Sequence, residues 1–142
     1  MKYQSFAHKK FCLEYHIEFV TKERRNWIVD FNAEEKLRQI FETIAKEFNV
    51  EIKALGVQPD HVHLYIAAKN TDFNIAKFIQ VLKGKSSYLI KKEIPMLKNI
   101  KDLWAKGYFV ATTGPTPNYV VKDYVEKQDL SRNLRDLSNK PL

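Results

Sequence analysis

The hydrophobic and polar positions of the chain alternate in four places as they do in β-strands. These places are residues 11–20 (FCLEYHIEFV), 51–58 (EIKALGVQ), 61–68 (HVHLYIAA) and 107–114 (GYFVATTG). Only Pro59-Asp60 separates the second run from the third. A turn that short joins antiparallel neighbours, so we expect a β-hairpin there.

Helical spacing of apolar residues occupies the segments between these strands. The first helix is predicted to be capped by Asn32 and to continue to about Asn49. A second helix, capped by Thr71 or Asp72, is predicted over roughly 73–92. The Gly-Pro-Thr-Pro segment after the fourth strand breaks the chain before a last helix, which begins near Asn118.

The order of these elements is βαββαβ followed by a terminal helix. It fits a ferredoxin-like (RRM-like) α+β fold, one antiparallel sheet with two helices on one face. A chain of 142 residues has room for one such domain, so residues 1–142 are predicted to form a single unit.

The net charge of the chain indicates which class of partner it binds. The chain carries 24 Lys and Arg against 17 Asp and Glu, a formal charge of +7 with a pI near 9.4. Such a surface favours polyanions, because binding releases their counterions. No window resembles a membrane span or a signal peptide, which predicts a cytoplasmic protein without a membrane partner. The single cysteine, Cys12, excludes a zinc finger.

Two histidines stand one residue apart at the start of the third strand. Alternation places His61 and His63 on one face and Val62 on the other. If the aliphatic set packs under the helices, both imidazoles stand on the uncovered face, close enough to converge on one metal ion. The alternative is a pair of half-exposed sheet residues. His8 and His16 are expected to be unrelated to this site.

Five blocks of sequence, in order along the chain, carry a family resemblance that includes the histidine pair. They are YHIEFVTKERR, GVQPDHVHLYI, VLKGKSSYLI, LWAKGYFVATTG and VVKDYVEKQ. His61-Val62-His63 resembles the HUH motif of single-strand endonucleases, and the blocks together resemble the single-tyrosine transposases of the IS200/IS605 family. Glu23-Arg24 departs from the family's pattern, in which an aromatic residue precedes the arginine.

The resemblance implies a tyrosine nucleophile and a third metal ligand on the last helix, about residues 118–130. Tyr124 and Gln128 are four residues apart, about 40° on a helix at 100° per residue, whereas Tyr119 falls on the opposite side. Tyr124 is therefore the predicted nucleophile. Gln128 is the predicted ligand through its amide oxygen, beside the two histidines of the motif.

Two imidazoles and an amide suit Mg²⁺ or Mn²⁺, with water and phosphate oxygens completing the coordination. Asp60 precedes the histidine pair, where it either orients a ligand from outside the coordination sphere or simply makes the turn. Tyr124 is alternatively a packing residue, since Val121 and Val125 lie on the same side of the predicted helix.

The resemblance further implies the substrate and the assembly. The substrate is single-stranded DNA whose ends fold as imperfect hairpins, cut to leave a 5′-phosphotyrosine and a free 3′-hydroxyl. The assembly is a homodimer in which Tyr124 of one chain faces His61 and His63 of the other. The candidate phosphate contacts are Lys22, Arg24, Arg25, Lys83, Lys85 and Ser86.

Other functions remain open on sequence grounds. A domesticated relative acting on dispersed palindromes, or a small replication initiator with the same motif, would use the same chemistry. A non-catalytic nucleic-acid-binding domain of RRM-like topology is the alternative from a different class. Such a domain would have no use for His61, His63 and Gln128 together, and metal-dependent nicking of single-stranded DNA separates it from the enzymes.

Overall fold

The computed structural model describes residues 4–6, 9–11 and 13–112. The strands are β1 (Gln4–Phe6), β2 (Lys9–Phe11), β3 (Glu14–Val20), β4 (Val50–Val57), β5 (His61–Ala68) and β6 (Phe109–Thr112). The helices are α1 (Trp27–Asp30), α2 (Glu34–Glu47) and α3 (Ile75–Glu93), with short 3-10 helices at Lys22–Arg24 and Pro95–Asn99. None of the described helices is long and apolar enough to cross a lipid bilayer.

The main sheet has four antiparallel strands in the order β4-β5-β3-β6. The predicted hairpin between β4 and β5 is confirmed: the Gln58 backbone N–H donates to the carbonyl oxygen of His61 at 2.9 Å across Pro59-Asp60. β5 also pairs with β3 along its whole described length, which places His63 directly opposite Glu18. The strand that begins with the histidine pair is therefore central in the sheet.

One face of the sheet and the helices share a hydrophobic core. Helical spacing predicts the buried residues of α2, which are Leu37, Ile40, Phe41, Ile44 and Ala45, whereas the predicted Phe48 is only partly buried. Helix α3 adds Phe78, Ile79 and Leu82. The sheet contributes Ile17, Phe19, Val62, Leu64 and Ile66, each at most 1% exposed. Burial of each such side chain contributes about 1.5–3 kcal/mol, so this face fixes the register of β3 and β5.

Several predicted boundaries are wrong. The first strand of the sheet begins at Glu14, because Phe11 belongs to β2, which pairs with β1 in a separate two-stranded sheet. Asn32 does not cap α2: its φ of 54° ends α1 in the left-handed region, which asparagine tolerates, and Ala33 precedes α2.

The cap of α3 is also different from the predicted one. Asn74 caps α3 by accepting a hydrogen bond from the Lys77 backbone N–H at 3.1 Å, so the predicted caps Thr71 and Asp72 are wrong. The strand predicted to begin at Gly107 begins at Phe109.

Candidate functional site

His61 and His63 occupy the first and third positions of β5, with their rings on the sheet face opposite the core. Val62 and Leu64, which alternate with them, are fully buried under the helices. The two imidazole centroids are 4.8 Å apart and the ring planes meet at 76°. Each histidine is only 2% exposed, so the alternative of two half-exposed sheet residues is wrong.

Asp60 fixes the orientation of the first imidazole. Its Oδ1 lies 2.7 Å from His61 Nδ1, and its Oδ2 lies 3.4 Å from the guanidinium of Arg24. A carboxylate at Nδ1 holds the proton there and leaves Nε2 with its lone pair. His61 Nε2 is buried and has no hydrogen-bond partner within the described part of the chain. A buried acceptor in that state fits a metal ligand.

Glu18 joins the two histidines in a group that suits a divalent cation. One ligand atom from each of Glu18, His61 and His63 lies within 4.8 Å of the other two. Opposite ligands on one ion, at bonds near 2.1 Å, are about 4.2 Å apart, so small side-chain movements would bring the three onto one ion. Two imidazoles and a carboxylate suit Mn²⁺ or Mg²⁺ as well as Zn²⁺. The donor set therefore fits the predicted metal.

His16 belongs to the same cluster, and the expectation that it is unrelated to the site is wrong. Its Nε2 lies 3.3 Å from His63 Nδ1, and the two rings stack with centroids 5.5 Å apart. Burial lowers the pKa of His16, against the opposing effect of the Glu18 charge, so the ring is neutral at pH 7. The carboxylate of Glu18 lies 3.6 Å from the same His63 nitrogen.

Sequence reasoning missed Glu18 and His16, although a signal for them exists in the chain. Alternation along β3 puts both on one face, opposite Ile17 and Phe19. The ferredoxin-like order places the first strand beside the third, so that face continues the face of the histidine pair. Only the register, Glu18 opposite His63, required the structure.

A second polar cluster follows along the same face of the sheet. The Tyr65 hydroxyl donates to Glu14 Oε1 at 2.7 Å, and Lys53 Nζ lies 3.0 Å from Glu14 Oε2. Tyr65 is fully buried and Glu14 is 3% exposed. A buried carboxylate that is both paired and hydrogen-bonded holds its neighbours in one arrangement. This cluster therefore braces β3 against β5 next to His63.

The basic turn after β3 presents three of the predicted phosphate contacts. Lys22 lies 3.9 Å from the carboxylate of Asp102. Arg24 lies 3.4 Å from the carboxylate of Asp60, and Arg25 lies 2.8 Å from that of Glu23. All three basic side chains are 41–52% exposed. Exposed ion pairs of this kind contribute about 0–1 kcal/mol, so a nucleic-acid phosphate competes well for these cations.

Helix α3 carries the other three predicted contacts, and one of them is wrong. Ser86 lies among the buried residues of the core face of α3, and its Oγ already accepts a hydrogen bond from the Trp104 indole at 3.0 Å, so its hydroxyl is engaged inside the protein. Lys83 donates to the carbonyl oxygens of Ala105 and Gly107, and burial lowers its pKa. Lys85 binds both carboxylate oxygens of Glu47 at 2.9 Å.

The predicted nucleophile Tyr124, the predicted ligand Gln128 and the whole helix predicted over about 118–130 lie outside the described residues. Their roles stay predictions.

Comparison with known proteins matches this chain to one family of transposases. A sequence family described as "Transposase IS200 like" matches residues 9–128. The ISDra2 transposase TnpA of Deinococcus radiodurans is 31% identical over 119 residues, which cover 82% of this chain and 84% of the relative. The transposase for insertion sequence element IS200 of Salmonella typhimurium is 28% identical over 130 residues, 88% of this chain and 82% of the relative.

Solved structures agree with the sequence relatives. A crystal structure of a transposase from Deinococcus radiodurans R1 matches with a TM-score of 0.71 and 32% identity, covering 91% of this chain and 98% of that one. A REP-associated tyrosine transposase, solved bound to a REP hairpin, matches with a TM-score of 0.66, covering 98% of this chain and 81% of that one. At 14% identity the second likeness is one of fold alone.

Proposed function

The chain belongs to the family of IS200-like transposases, and we propose that this DNA transposase cuts and rejoins single-stranded DNA at ends that fold as imperfect hairpins. The observation that carries the proposal is the buried pair His61 and His63. Asp60 holds Nδ1 of the first imidazole, and its Nε2 is left without a partner within the described residues. Membership of the IS200-like family supports the choice of substrate, which the resemblance to the IS200/IS605 transposases implies.

Tyr124 is the proposed nucleophile. Its phenolic oxygen attacks the scissile phosphorus, and the bond from phosphorus to the 3′ oxygen breaks. The products are a 5′-phosphotyrosine and a free 3′-hydroxyl. Because one phosphodiester replaces another, the linkage keeps its energy, and attack by a 3′-hydroxyl reverses the step without ATP. The helical spacing that places Gln128 on the same face as Tyr124 supports this choice over Tyr119.

His61 and His63 are proposed to hold a divalent metal, Mg²⁺ or Mn²⁺, with Gln128 as a further ligand. Glu18 is added to this set because its carboxylate lies within 4.8 Å of the histidine ligand atoms. The bound cation would polarise the scissile phosphate and stabilise its developing charge. Asp60 is proposed to act from outside the coordination sphere, by keeping the proton of His61 on Nδ1.

The basic turn is proposed to hold the DNA backbone near this site. Arg24 connects the two, since its guanidinium reaches Asp60, the partner of His61. Lys22 and Arg25 flank it on the same turn, and their exposed side chains suit phosphate contacts. Lys83 is a weaker candidate, because its Nζ donates to two backbone carbonyl oxygens. Lys85 stays a candidate, because its pair with Glu47 is as exposed as those of the basic turn.

Incubation with labelled DNA tests the function. We expect cleavage of a single-stranded hairpin substrate in Mn²⁺, together with a covalent protein–DNA product that survives denaturing electrophoresis. The same sequence as a fully paired duplex should remain intact, because the strand cannot enter the site. Equal cleavage of both forms would contradict the single-strand assignment, and binding without any cleavage would favour the RRM-like binding domain.

The proposed fold is a single domain of residues 1–142, in which the ferredoxin-like βαββαβ arrangement is followed by a tyrosine-bearing helix. The described strand order, with the first and third sheet strands adjacent at the centre, supports it. β6 lies at one end of the described sheet, with Phe109 55% exposed. An aromatic edge strand of this kind suits pairing with a second copy, so we propose a homodimer joined there.

In that homodimer the active sites are proposed to be shared, with Tyr124 of one chain facing the histidines of its partner. Mixing Tyr124→Phe protein with His63→Ala protein should then restore cleavage that neither variant has alone. The first chain supplies intact histidines and the second an intact tyrosine, so each mixed dimer holds one complete site. Cleavage is measured after subunit exchange, with heterodimers verified by two affinity tags.

The sharing experiment has a defined failure. Verified heterodimers that never cleave would show that each chain builds its site alone. As a control, two preparations of the same variant, mixed and exchanged in the same way, should stay inactive.

A further inference from the structure

Gln58 is fully buried, and its side-chain amide makes no hydrogen bond within the described residues. It is 0% exposed, and neither its Oε1 nor its Nε2 has a hydrogen-bond partner within the described part of the chain. Buried polar groups in native proteins are almost always paired, because an unpaired one loses its hydration without compensation. A glutamine in this state indicates a binding partner beyond the described residues.

The position of Gln58 puts this amide beside the histidine pair. Gln58 and His61 flank the Pro59-Asp60 turn, and the Gln58 backbone N–H donates to the His61 carbonyl at 2.9 Å. Val57 is fully buried in the core, so alternation turns the side chain of Gln58 to the opposite face, where His61 lies. Directly opposed residues on one face have Cβ atoms about 4.5–5.5 Å apart.

The neighbouring positions of β4 on this face carry small residues. Gly56 is opposite His63 and has no side chain, and Ala54 is opposite Tyr65. β4 therefore presents small residues along the site and one long polar side chain at its end, next to His61.

The site needs a hydrogen-bond donor for phosphate. Asp60 and Glu18 offer only acceptor oxygens when ionised, and both repel a phosphate. Arg24 lies on the basic turn, where its guanidinium reaches Asp60 and is proposed to hold the DNA backbone beside the metal site. Gln58 carries two neutral N–H donors, which bind a phosphate oxygen without competing for the metal.

We propose that the Gln58 amide donates a hydrogen bond from Nε2 to a non-bridging oxygen of the DNA phosphate held at His61 and His63. This assignment rests on the proposed function, since it requires a phosphate at the metal site. It makes Gln58 a residue that positions substrate, distinct from the groups that bind the metal.

The test compares Gln58→Met with the parent protein. Methionine matches the length and removes both polar atoms, so the metal-free, DNA-free variant should melt about 2–6 °C higher, because the unpaired amide is gone. Its affinity for Mn²⁺ should stay at the parental value. Its affinity for single-stranded hairpin DNA in Mn²⁺ should fall about tenfold, measured in a Tyr124→Phe background where no cleavage interferes.

Two further variants sharpen the result. Gln39→Met makes the same change on an exposed position of α2 and should leave melting, metal affinity and DNA affinity unchanged. Gln58→Glu keeps the acceptor oxygen, removes the donor and adds a negative charge. It should bind DNA at least as weakly as Gln58→Met.

Each contrary result overturns the assignment. A lower melting temperature for Gln58→Met would show that the amide supports the fold, and unchanged DNA affinity would show that no phosphate bonds to it. Parental affinity in Gln58→Glu would assign the contact to Oε1, as an acceptor from a metal-bound water, instead of to Nε2. A parent protein that binds DNA but never forms a covalent product refutes the proposed function separately, because the binding comparison needs no cleavage.

Discussion

Replacing Tyr124 with phenylalanine is expected to abolish the covalent protein–DNA product while leaving hairpin binding intact. Phenylalanine keeps the aromatic ring and removes only the hydroxyl that attacks phosphorus. Loss of a nucleophile lowers cleavage on the order of a thousandfold or more, because no neighbouring group replaces it in line with the leaving oxygen. Denaturing electrophoresis detects the covalent product, and a filter or gel-shift assay detects binding.

Tyr119→Phe is the matched control, because it makes the same change five residues earlier in the chain. It should cleave at the parental rate, since helical spacing turns Tyr119 away from Gln128. The reverse outcome, an active Tyr124 variant and an inactive Tyr119 variant, would show that the helical assignment of the nucleophile is wrong. Loss of cleavage together with loss of binding in Tyr124→Phe would point to a packing role instead.

The sheet and its two long helices were accessible to sequence reasoning because they repeat a simple period. Alternation in residues 61–68 identifies β5 to the residue, and helical spacing gives the buried face of α2. The short helix α1 was missed because its stability comes from a distant contact. The Trp27 indole donates to the Leu103 carbonyl at 3.0 Å, and no local pattern encodes that partner.

In the site, too, residues that are adjacent in sequence could be predicted together, whereas residues brought in by strand pairing could not. His61, His63 and Asp60 are adjacent in sequence, so their association could be predicted. Glu18 and His16 come from a strand more than forty positions away in the chain. Their part in the cluster depends on the register between β3 and β5.

Ser86 illustrates the opposite error. A serine between lysines on a helix suggests a phosphate contact, yet its hydroxyl faces Trp104 inside the protein. Helical spacing places Ser86 four residues after Leu82 and four before Ile90, both buried, so the position belonged to the core face of α3. The charge of the neighbouring lysines therefore favoured a phosphate contact, whereas helical periodicity predicts that Ser86 is buried.

His61→Ala and His63→Ala are each expected to abolish cleavage and to weaken Mn²⁺ binding on the order of a hundredfold or more. Each change removes one of the two imidazoles that converge with centroids 4.8 Å apart. Asp60→Asn keeps both ligands and loses only the carboxylate at Nδ1 of His61, so a smaller loss of about tenfold is expected. Calorimetric titration of Mn²⁺ into DNA-free protein measures these affinities without reference to activity.

The order of the three variants discriminates a metal site from a structural cluster. If the imidazoles bind the cation, Mn²⁺ affinity falls furthest in the histidine variants and less in Asp60→Asn. Excess EDTA should then stop DNA cleavage by the parent protein, and added Mn²⁺ should restore that cleavage. Glu18→Gln extends the series, since loss of its charge should lower Mn²⁺ affinity if the carboxylate is a ligand. Full cleavage in excess EDTA would refute the metal role, because the reaction would then proceed without the cation that is proposed to stabilise charge on the phosphate.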